Sequence, residues 1–294
     1  MNTRIQKSLR MPLLTAILFT AFCMGLEARG QSNWPDFRGP HCNGHSDAVG
    51  LPLHWSEGEN IVWKAPIHDL GFSTPVIWGK QVWLTTAVKG GATMYAVCVD
   101  WDTGAILHDV PVFRPEDPQR VHPNNSHATP SAVIEEGRVY VHFGSHGTAC
   151  LDTGSGEVLW KRTDLNCKHL QGPVSSPFLY EDLLIVHLEG VDVQFFAALN
   201  KDTGETVWRV DRPRELYEGL EPAYVRKSYQ TPVIVEVEGE PQLISNGAVM
   251  VTAHEPRTGK ELWQVRYRDD NPISRVVAGH GLLFINTGGS PGKS

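Results

Sequence analysis

The strongest constraint on how this chain can fold is a short phrase that occurs four times. Its frame is a small residue, any residue, an Asp, Asn or Glu, two further residues, a Thr or Ser, a Gly, three residues and an aromatic ring. The copies run over 98–108, 150–160, 198–208 and 253–263. Their glycines lie 52, 48 and 55 residues apart, a period that is typical of stacked supersecondary units. The chain is therefore interpreted as an array of repeats.

Each copy of the phrase predicts a β-hairpin. The small residue ends one strand, the acidic or amide side chain bonds the backbone of the turn, and Gly supplies a left-handed position there. A second strand then carries the aromatic anchor. The anchors and turn glycines are the predicted structural docking residues. They are Trp63, Trp160, Trp208, Trp263, Gly104, Gly156, Gly204 and Gly259, with His108 replacing Trp in the first copy.

A second recurring element opens each unit. Segments 73–77, 128–132, 175–179 and 230–234 share a Ser/Thr-Pro pair, and 273–277 opens a fifth unit without Pro. Pro is compatible with the first residue of a strand, where no ladder donor is needed. Each opener leads into a second β-rich run, and the repeat phrase then supplies two more strands. Four antiparallel strands per unit predict the blades of a β-propeller. A β-sandwich is the alternative, but it gives no reason for the fixed phrase.

The predicted fold is all-β, with four complete four-stranded blades and a partial fifth in a propeller domain over 61–294. A strand is predicted over 61–67, and it resembles the end of the phrase although no copy of the phrase precedes it. Propellers are often closed by an N-terminal strand that completes the last blade and removes an open sheet edge. The sequence is therefore predicted to be a C-terminally incomplete fragment of a larger ring.

The N-terminus has the pattern of a targeting segment. A basic start, an apolar run over 11–26 and small residues at 28 and 30 predict a signal peptide over 1–30, cleaved before Gln31. A membrane anchor and lipidation at Cys23 are the alternatives. With cleavage, the protein is expected to be exported, periplasmic or associated with the cell envelope, and without a transmembrane segment.

An N-terminal arm is predicted over 31–60, rich in Pro and Gly and pinned by Trp34, Phe37 and Trp55. Acidic residues outnumber basic ones by 33 to 26 and no long basic run occurs, so nucleic acid is not expected as a partner. A monomer is expected.

Four cysteines remain after the predicted cleavage, and an exported protein is free to form disulfides. Cys98 and Cys150 stand where Ala198 and Ala253 occur in the other copies. That position therefore requires a small apolar side chain, which a free Cys can supply. A bridge from Cys150 to Cys167 remains an alternative, and the state of Cys42 stays open.

The phrase resembles the tryptophan-docking motif of pyrroloquinoline-quinone-like (PQQ-like) β-propellers, and the best matches are the copies at 150–160 and 198–208. The lead-in at 34–40 and the segments around 51–56 and 60–64 resemble exported bacterial proteins similar to outer-membrane assembly factor B. The likeness covers 33–294. Members of the family usually have eight blades, so the resemblance implies an eight-bladed ring.

The resemblance implies two functional branches. In one branch, quinoprotein dehydrogenases hold PQQ and Ca²⁺ over the channel. In the other, the propeller is a non-catalytic platform for proteins or ligands. The expected function is a non-catalytic binding or scaffold module for a protein or ligand, including a carbohydrate, with no cofactor, metal site or catalytic residue assigned. The alternative is a PQQ- and Ca-dependent dehydrogenase of the alcohol or polyvinyl-alcohol type, with Ca²⁺ as Lewis acid.

The candidate ligand site is the mouth of the channel, at residues that precede the innermost strands. Their mixed polar and basic character predicts an anionic or carbonyl-rich ligand. The candidates are Asn125, His127, Gln171, Arg226, Lys227, Tyr229 and Arg275.

Two other motifs are interpreted as structural. Asp-Thr-Gly triplets at Asp102, Asp152 and Asp202 mimic the paired carboxylates of aspartic proteases, but they fall in the predicted blade turns. His142 and His146 have a spacing that would place two ligands on one face of a helix, and their segment is predicted to be a strand.

Overall fold

The computed structural model describes residues 33–267 and 271–287, so the predicted signal peptide lies outside the described part. Antiparallel strands form sheets in chain order. The first sheet contains β1 (Val76–Trp78), β2 (Gln81–Ala87), β3 (Met94–Asp100) and β4 (Ile106–Phe113). The second contains β5 (Val133–Glu135), β6 (Arg138–His142), β7 (Thr148–Asp152) and β8 (Val158–Arg162).

The third sheet contains β9 (Phe178–Tyr180), β10 (Leu183–Glu189), β11 (Gln194–Asn200) and β12 (Thr206–Asp211). The fourth contains β13 (Val233–Val237), β14 (Glu240–Asn246), β15 (Met250–His254) and β16 (Glu261–Arg266). β17 (Val277–Gly279) and β18 (Leu282–Phe284) form a two-stranded fifth sheet. Short 3₁₀ helices cover Gly144–His146, Arg214–Leu216 and Ala223–Arg226. The prediction of four complete blades and a partial fifth is confirmed.

The repeat phrase forms the outer hairpin of every complete blade. Its small residue lies directly opposite its aromatic residue in the ladder, as Ala198 does with Trp208. A β-bulge follows the small residue in all four copies, and a bulge re-aims side chains and increases local twist. Cys98 and Cys150 are fully buried at the same position, so their interpretation as substitutes for Ala is confirmed. All four cysteines in the described part are free, and the alternative bridge from Cys150 to Cys167 is therefore wrong.

The acidic or amide residue of the phrase organises the turn. The Asp100 carboxylate accepts hydrogen bonds from the backbone nitrogens of Asp102, at 3.1 Å, and Thr103, at 2.8 Å. Asp152, Asn200 and Glu255 accept equivalent bonds in the other copies. The protease-like triplets are therefore blade turns, as predicted.

The aromatic residue of each of the first three blades packs on the turn glycine of the next blade. A Cβ atom built on Gly204 would lie 2.6 Å from Cε3 of Trp160, and Trp160 Nε1 donates to Lys201 O at 2.9 Å. Trp208 docks on Gly259 in the same way and donates to Pro256 O at 3.0 Å. The ring thus covers a turn that only Gly can form, and adjacent blades are joined.

His108 performs the same docking despite the change of residue. Its Nδ1 would lie 2.9 Å from a Cβ on Gly156, and its Nε2 is 3.2 Å from Thr153 O. The imidazole also stacks on Trp83, with ring centroids 5.5 Å apart. A flat ring with an N–H donor is therefore sufficient for docking.

The prediction of a strand over 61–67 is wrong, because no strand is formed there. Trp63 nevertheless docks on Gly104 and donates from Nε1 to Trp101 O at 2.7 Å. The segment is held by this ring and by the packing of Ala65 and Ile67 on the first blade, instead of by a ladder of backbone hydrogen bonds. At the other end of the array, Trp263 donates to Gln242 Oε1 of its own blade at 2.8 Å.

Hydroxyl groups connect the innermost strands. The Thr74 nitrogen donates to Ser131 Oγ, the Ser131 nitrogen to Ser176 Oγ, and the Ser176 nitrogen to Thr231 Oγ1, at 2.8–2.9 Å. Each of these four residues lies two positions before the first residue of its innermost strand. Ser131, not Thr129, is therefore the second-blade equivalent of Thr74. The predicted opener register in that blade was therefore wrong by two residues.

The N-terminal arm bonds to the middle of the innermost strands of the first two blades. Trp34 exchanges two 2.9 Å backbone hydrogen bonds with Ile77, and Pro35 O accepts from the Ile134 nitrogen at 2.9 Å. Phe37 O accepts from Arg275 Nη1 at 2.8 Å. Trp55 is 64% exposed, so the prediction that it pins the arm is wrong.

The docking contact is tested by replacing Gly204 with Ala. The new methyl group collides with the Trp160 ring, and overpacking of this kind costs about 1–3 kcal/mol. Gly137→Ala is the matched control, because Gly137 has nearly the same φ, 77° against 75°, and a Cβ added there would have no atom within 4 Å. Urea unfolding should show Gly204→Ala less stable than Gly137→Ala by that amount. Equal destabilisation by the two substitutions would contradict the docking interpretation.

Candidate functional site

Three of the seven predicted site residues line one open pocket. Asn125, Gln171 and Tyr229 meet there at the N-terminal side of the innermost strands, around a volume of about 300 Å³. The other lining residues are His122, Val174, Asn271 and Ile273. Pockets of about 300–1,000 Å³ are typical of small-ligand sites. We refer to this site as the mouth pocket.

The mouth pocket is bordered by buried polar atoms that have no hydrogen-bond partner in the described structure. They are Gln171 Oε1, the Tyr229 hydroxyl and Asn271 Oδ1. Buried polar atoms are normally paired, and each exception requires an explanation. Asn125 braces the loop, because its Nδ2 donates to Gln171 O at 2.8 Å.

The remaining predicted residues lie elsewhere. His127 is buried beside His146, and its Nε2 lies 2.8 Å from Gln119 O. Arg226 donates to Leu220 O at 2.9 Å and lines a separate surface cleft. Arg275 contacts the arm, through a 2.8 Å hydrogen bond from its Nη1 to Phe37 O. Among the described residues, the lining of the mouth pocket includes no Arg or Lys, so none of the three predicted basic residues lines it.

Lys227 lines a smaller cavity that shares Val174 and Tyr229 with the mouth pocket. This cavity has a volume of about 10 Å³, close to the roughly 10–15 Å³ that one water molecule needs. Lys227 Nζ donates to His169 O, and it lies 3.4 Å from Gly172 O. Burial lowers the pKa of Lys227 to about 8, because the charged ammonium is poorly solvated there.

A buried ion pair borders the same cavity. Glu189, at the end of β10, pairs with Arg212 and lies 3.3 Å from His187 Nε2. Arg212 also donates to Ser245 Oγ, in the next blade, at 2.7 Å. Burial alone would raise the pKa of Glu189, but the guanidinium of Arg212 outweighs burial and the pKa is lowered. Glu189 Oε2 and His187 Nδ1 have no partner among the described residues.

Two buried histidines near the small cavity, His142 and His169, have lowered pKa values. Burial lowers the pKa of His142 to about 3 and that of His169 well below its usual value. His142 Nδ1 lies 2.8 Å from Thr148 Oγ1, and His146 Nε2 accepts from the Gln119 nitrogen at 3.0 Å. Within 33–267 and 271–287, no group of three or more His, Cys, Asp or Glu side chains is placed to hold a metal ion.

Sequence reasoning missed His187, Glu189 and Asn271. His187 and Glu189 alternate within the apolar strand Leu183–Glu189, and residues i and i+2 of a strand share a face. Two ionisable residues on one face of a fully buried strand were the signal for a polar cluster. No comparable pattern points to Asn271, because it follows a run of polar residues in the sequence.

The comparison with protein families identifies the repeat. A family model described as outer membrane protein assembly factor BamB matches residues 79–290. The chain belongs to this family. Its PQQ-like repeats, inferred from the docking phrase, are thereby confirmed. No curated protein matches the chain at a significant level.

This member of the BamB family matches only part of the length of the solved structures that it resembles. BamB from Moraxella catarrhalis is 19% identical with a TM-score of 0.53, over 75% of this chain and 60% of that one. A europium-containing methanol dehydrogenase is 14% identical, with a TM-score of 0.48, over 65% and 41%. A quinohemoprotein alcohol dehydrogenase from Comamonas testosteroni is 14% identical, with a TM-score of 0.47, over 73% and 39%. The BamB likeness supports the propeller fold, and at this identity it carries no information on activity.

The cavities on the mouth side do not fit the quinone–calcium group of the dehydrogenases. Ca²⁺ takes six to eight oxygen ligands, with carboxylates prominent among them. Among residues 33–267 and 271–287, Glu189 is the only carboxylate lining either cavity, and it pairs with Arg212. Lys227 lines the same cavity and would repel a divalent cation. No role is therefore assigned to a bound quinone or Ca²⁺ at these cavities.

A search of the described residues for a helix long and apolar enough to span a membrane finds none. This finding concerns 33–267 and 271–287 and leaves the predicted signal segment untested.

The buried ammonium makes stability depend on pH. Because the folded pKa of Lys227 is about 8 against an ordinary 10.5, the unfolded chain binds more protons between these values, and stability rises with pH there. Lys227→Met removes this gain, so wild type should gain about 2 kcal/mol over the variant between pH 7.5 and 10. Urea unfolding at each pH measures the difference. The exposed Lys161→Met is the control and should follow wild type; parallel curves for Lys227→Met and wild type would contradict the prediction.

Proposed function

We propose that this protein is an exported, non-catalytic binding module whose mouth pocket holds a peptide segment of a protein partner. The observation that carries the proposal is the group of unpaired acceptors around the pocket, at Gln171, Tyr229 and Asn271. Leaving a buried acceptor unpaired costs about 1–3 kcal/mol. A ligand that presents N–H groups would recover part of that cost.

The chemistry of the lining favours a peptide over an anion. The pocket has amide and phenol groups on its polar side and Val174 and Ile273 on its apolar side. Backbone amides supply regularly spaced donors, and small side chains can pack on the two apolar residues. The described lining residues include no Arg or Lys, so they offer an anionic ligand no counter-charge in exchange for its hydration.

The family supports the same assignment. Its description names a factor in outer membrane protein assembly, which favours a protein partner and a location in the cell envelope. Because one fold serves many functions, the proposal depends on the pocket chemistry as well as on the family. The intact protein's partners and blade number are also matters for experiment, since the chain spans 39–60% of the length of the BamB and dehydrogenase structures.

The test uses trialanine as a probe of peptide binding. In ¹H–¹⁵N spectra of the protein, the side-chain amides of Asn125, Gln171 and Asn271 should shift in a saturable way as trialanine is added. Gln171→Met keeps the length of the side chain and removes the acceptor, and it should weaken binding about fivefold or more. Gln264→Met, on the exposed strand β16, should leave binding unchanged.

Three outcomes would overturn the proposal. The first is the absence of saturable shifts with trialanine. The second is saturable binding of maltotriose at the same amides with none of trialanine, which would assign the pocket to carbohydrate. The third is stoichiometric uptake of PQQ with Ca²⁺, followed by dye-linked alcohol oxidation, which would make the protein a quinoprotein dehydrogenase.

A further inference from the structure

A second cavity lies between the innermost strands and the N-terminal arm. Its volume is about 450 Å³, and it shares no lining residue with the mouth pocket or with the small cavity beside it. We refer to it as the arm cavity. Both its size and its mixed lining are within the range of small-ligand sites.

The walls of the arm cavity are mostly apolar and partly aromatic. The first four blades each contribute at least one large side chain from the innermost strand. They are Trp78, Ile134, Phe178, Leu179, Tyr180 and Ile234. The arm contributes Pro35 and Pro40 from the other side. A flat or elongated apolar body can therefore be sandwiched between the strands and the arm.

A single arginine provides the fixed positive charge of this cavity. Arg275 lies two residues before β17, the place that Thr74, Ser176 and Thr231 occupy before the other innermost strands, and its side chain is only 1% exposed. Its Nε donates to Pro232 O at 3.1 Å and its Nη1 to Phe37 O at 2.8 Å. Its Nη2 is buried without a partner among the described residues. The guanidinium is thus held rigidly by two backbone carbonyls and keeps one nitrogen unused.

Asp36 is the protein's own counterion for Arg275, but it is poorly placed. The distance from Arg275 Nη1 to Asp36 Oδ1 is 3.5 Å, longer than a charge-assisted hydrogen bond of about 2.7–2.9 Å. Burial raises the pKa of Asp36 to about 6, although Arg275 opposes this shift. The Cys42 thiol lies 3.9 Å from Asp36 Oδ2, and burial raises the pKa of that thiol to about 11, so it is neutral. The cationic group is therefore incompletely neutralised within the protein.

We propose that the arm cavity binds a small apolar anion, whose carboxylate or sulfonate pairs with Arg275 Nη2 and whose apolar body packs between Trp78, Phe178 and the arm. The site is independent of the peptide-binding role proposed above, because it shares no lining residue with the mouth pocket. A buried guanidinium nitrogen without a partner, on a residue that lines the cavity, favours an anionic group, and the surrounding walls favour an apolar body.

Two fluorescent probes of nearly the same shape test the proposal. 1-Anilinonaphthalene-8-sulfonate carries a permanent negative charge, and N-phenyl-1-naphthylamine is its uncharged counterpart. The sulfonate should bind at one site per chain and more tightly than the neutral amine. Arg275→Met should weaken sulfonate binding about tenfold or more and leave binding of the neutral amine almost unchanged.

Asp36→Asn provides a second variant that leaves Arg275 in place. Because Asp36 competes for the guanidinium only when ionised, wild-type affinity for the sulfonate should rise as the pH falls through about 6. Asp36→Asn should bind the sulfonate more tightly at pH 7.5 and lose this pH dependence. His41 and Tyr180 also line the cavity, so His41→Gln is the control and should retain the dependence.

The structural integrity of each variant is checked by its urea midpoint and near-ultraviolet circular dichroism. Ile134→Trp, which fills the cavity, should abolish binding of both probes. Equal affinities for the two probes in wild type would overturn the proposal, and so would unchanged sulfonate binding in a folded Arg275→Met. If that variant does not fold, an Asp36→Asn protein that binds no more tightly than wild type overturns it instead.

Discussion

The fold depends on one contact, the packing of an aromatic ring on a glycine turn of the following blade. The turn requires a left-handed backbone at glycine, and the ring occupies the space where a side chain would stand. The small residue opposite the ring, with the bulge after it, directs the ring outward to that turn. Docking therefore needs three positions of the phrase at once. This explains why the phrase recurs as a unit and why His108, which retains the flat ring and the N–H group, can replace Trp at the first junction.

Much of the fold could be predicted from this phrase. The predictions were wrong where another interaction takes the place of a ladder of backbone hydrogen bonds. The order of the strands, the outer hairpins and the burial of Cys98 and Cys150 could be predicted, because each depends on residues close in sequence. The segment 61–67 could not be assigned correctly, because its apolar residues pack on the first blade around the docked Trp63 ring and do not pair as a strand. Similarly, Ser131 replaces Thr129 as the linking hydroxyl because the contact is made to another blade, and a Ser/Thr-Pro pattern contains no information on that partner.

The sequence could group residues for a candidate site by their common place before the innermost strands, but it could not give the direction of each side chain. Asn125, Gln171 and Tyr229 line the mouth pocket together. Side-chain direction depends on packing that the sequence does not reveal. Lys227 turns inward to two carbonyl groups, Arg226 faces a surface cleft, and Arg275 contacts the arm. None of the three predicted basic residues therefore lines the mouth pocket, and the ligand of that pocket stays a prediction.

The mouth pocket and the arm cavity consequently differ in charge balance. Glu189, in the small cavity beside the mouth pocket, pairs with Arg212 through one carboxylate oxygen, and the described atoms without a partner around the mouth pocket belong to the neutral groups of Gln171, Tyr229 and Asn271. At the arm cavity, Arg275 faces an acid 3.5 Å away whose charge is disfavoured by burial, and the atom without a partner is a cationic donor. Because unpaired acceptors require donors and an unpaired guanidinium requires an anion, one ligand chemistry cannot satisfy both cavities.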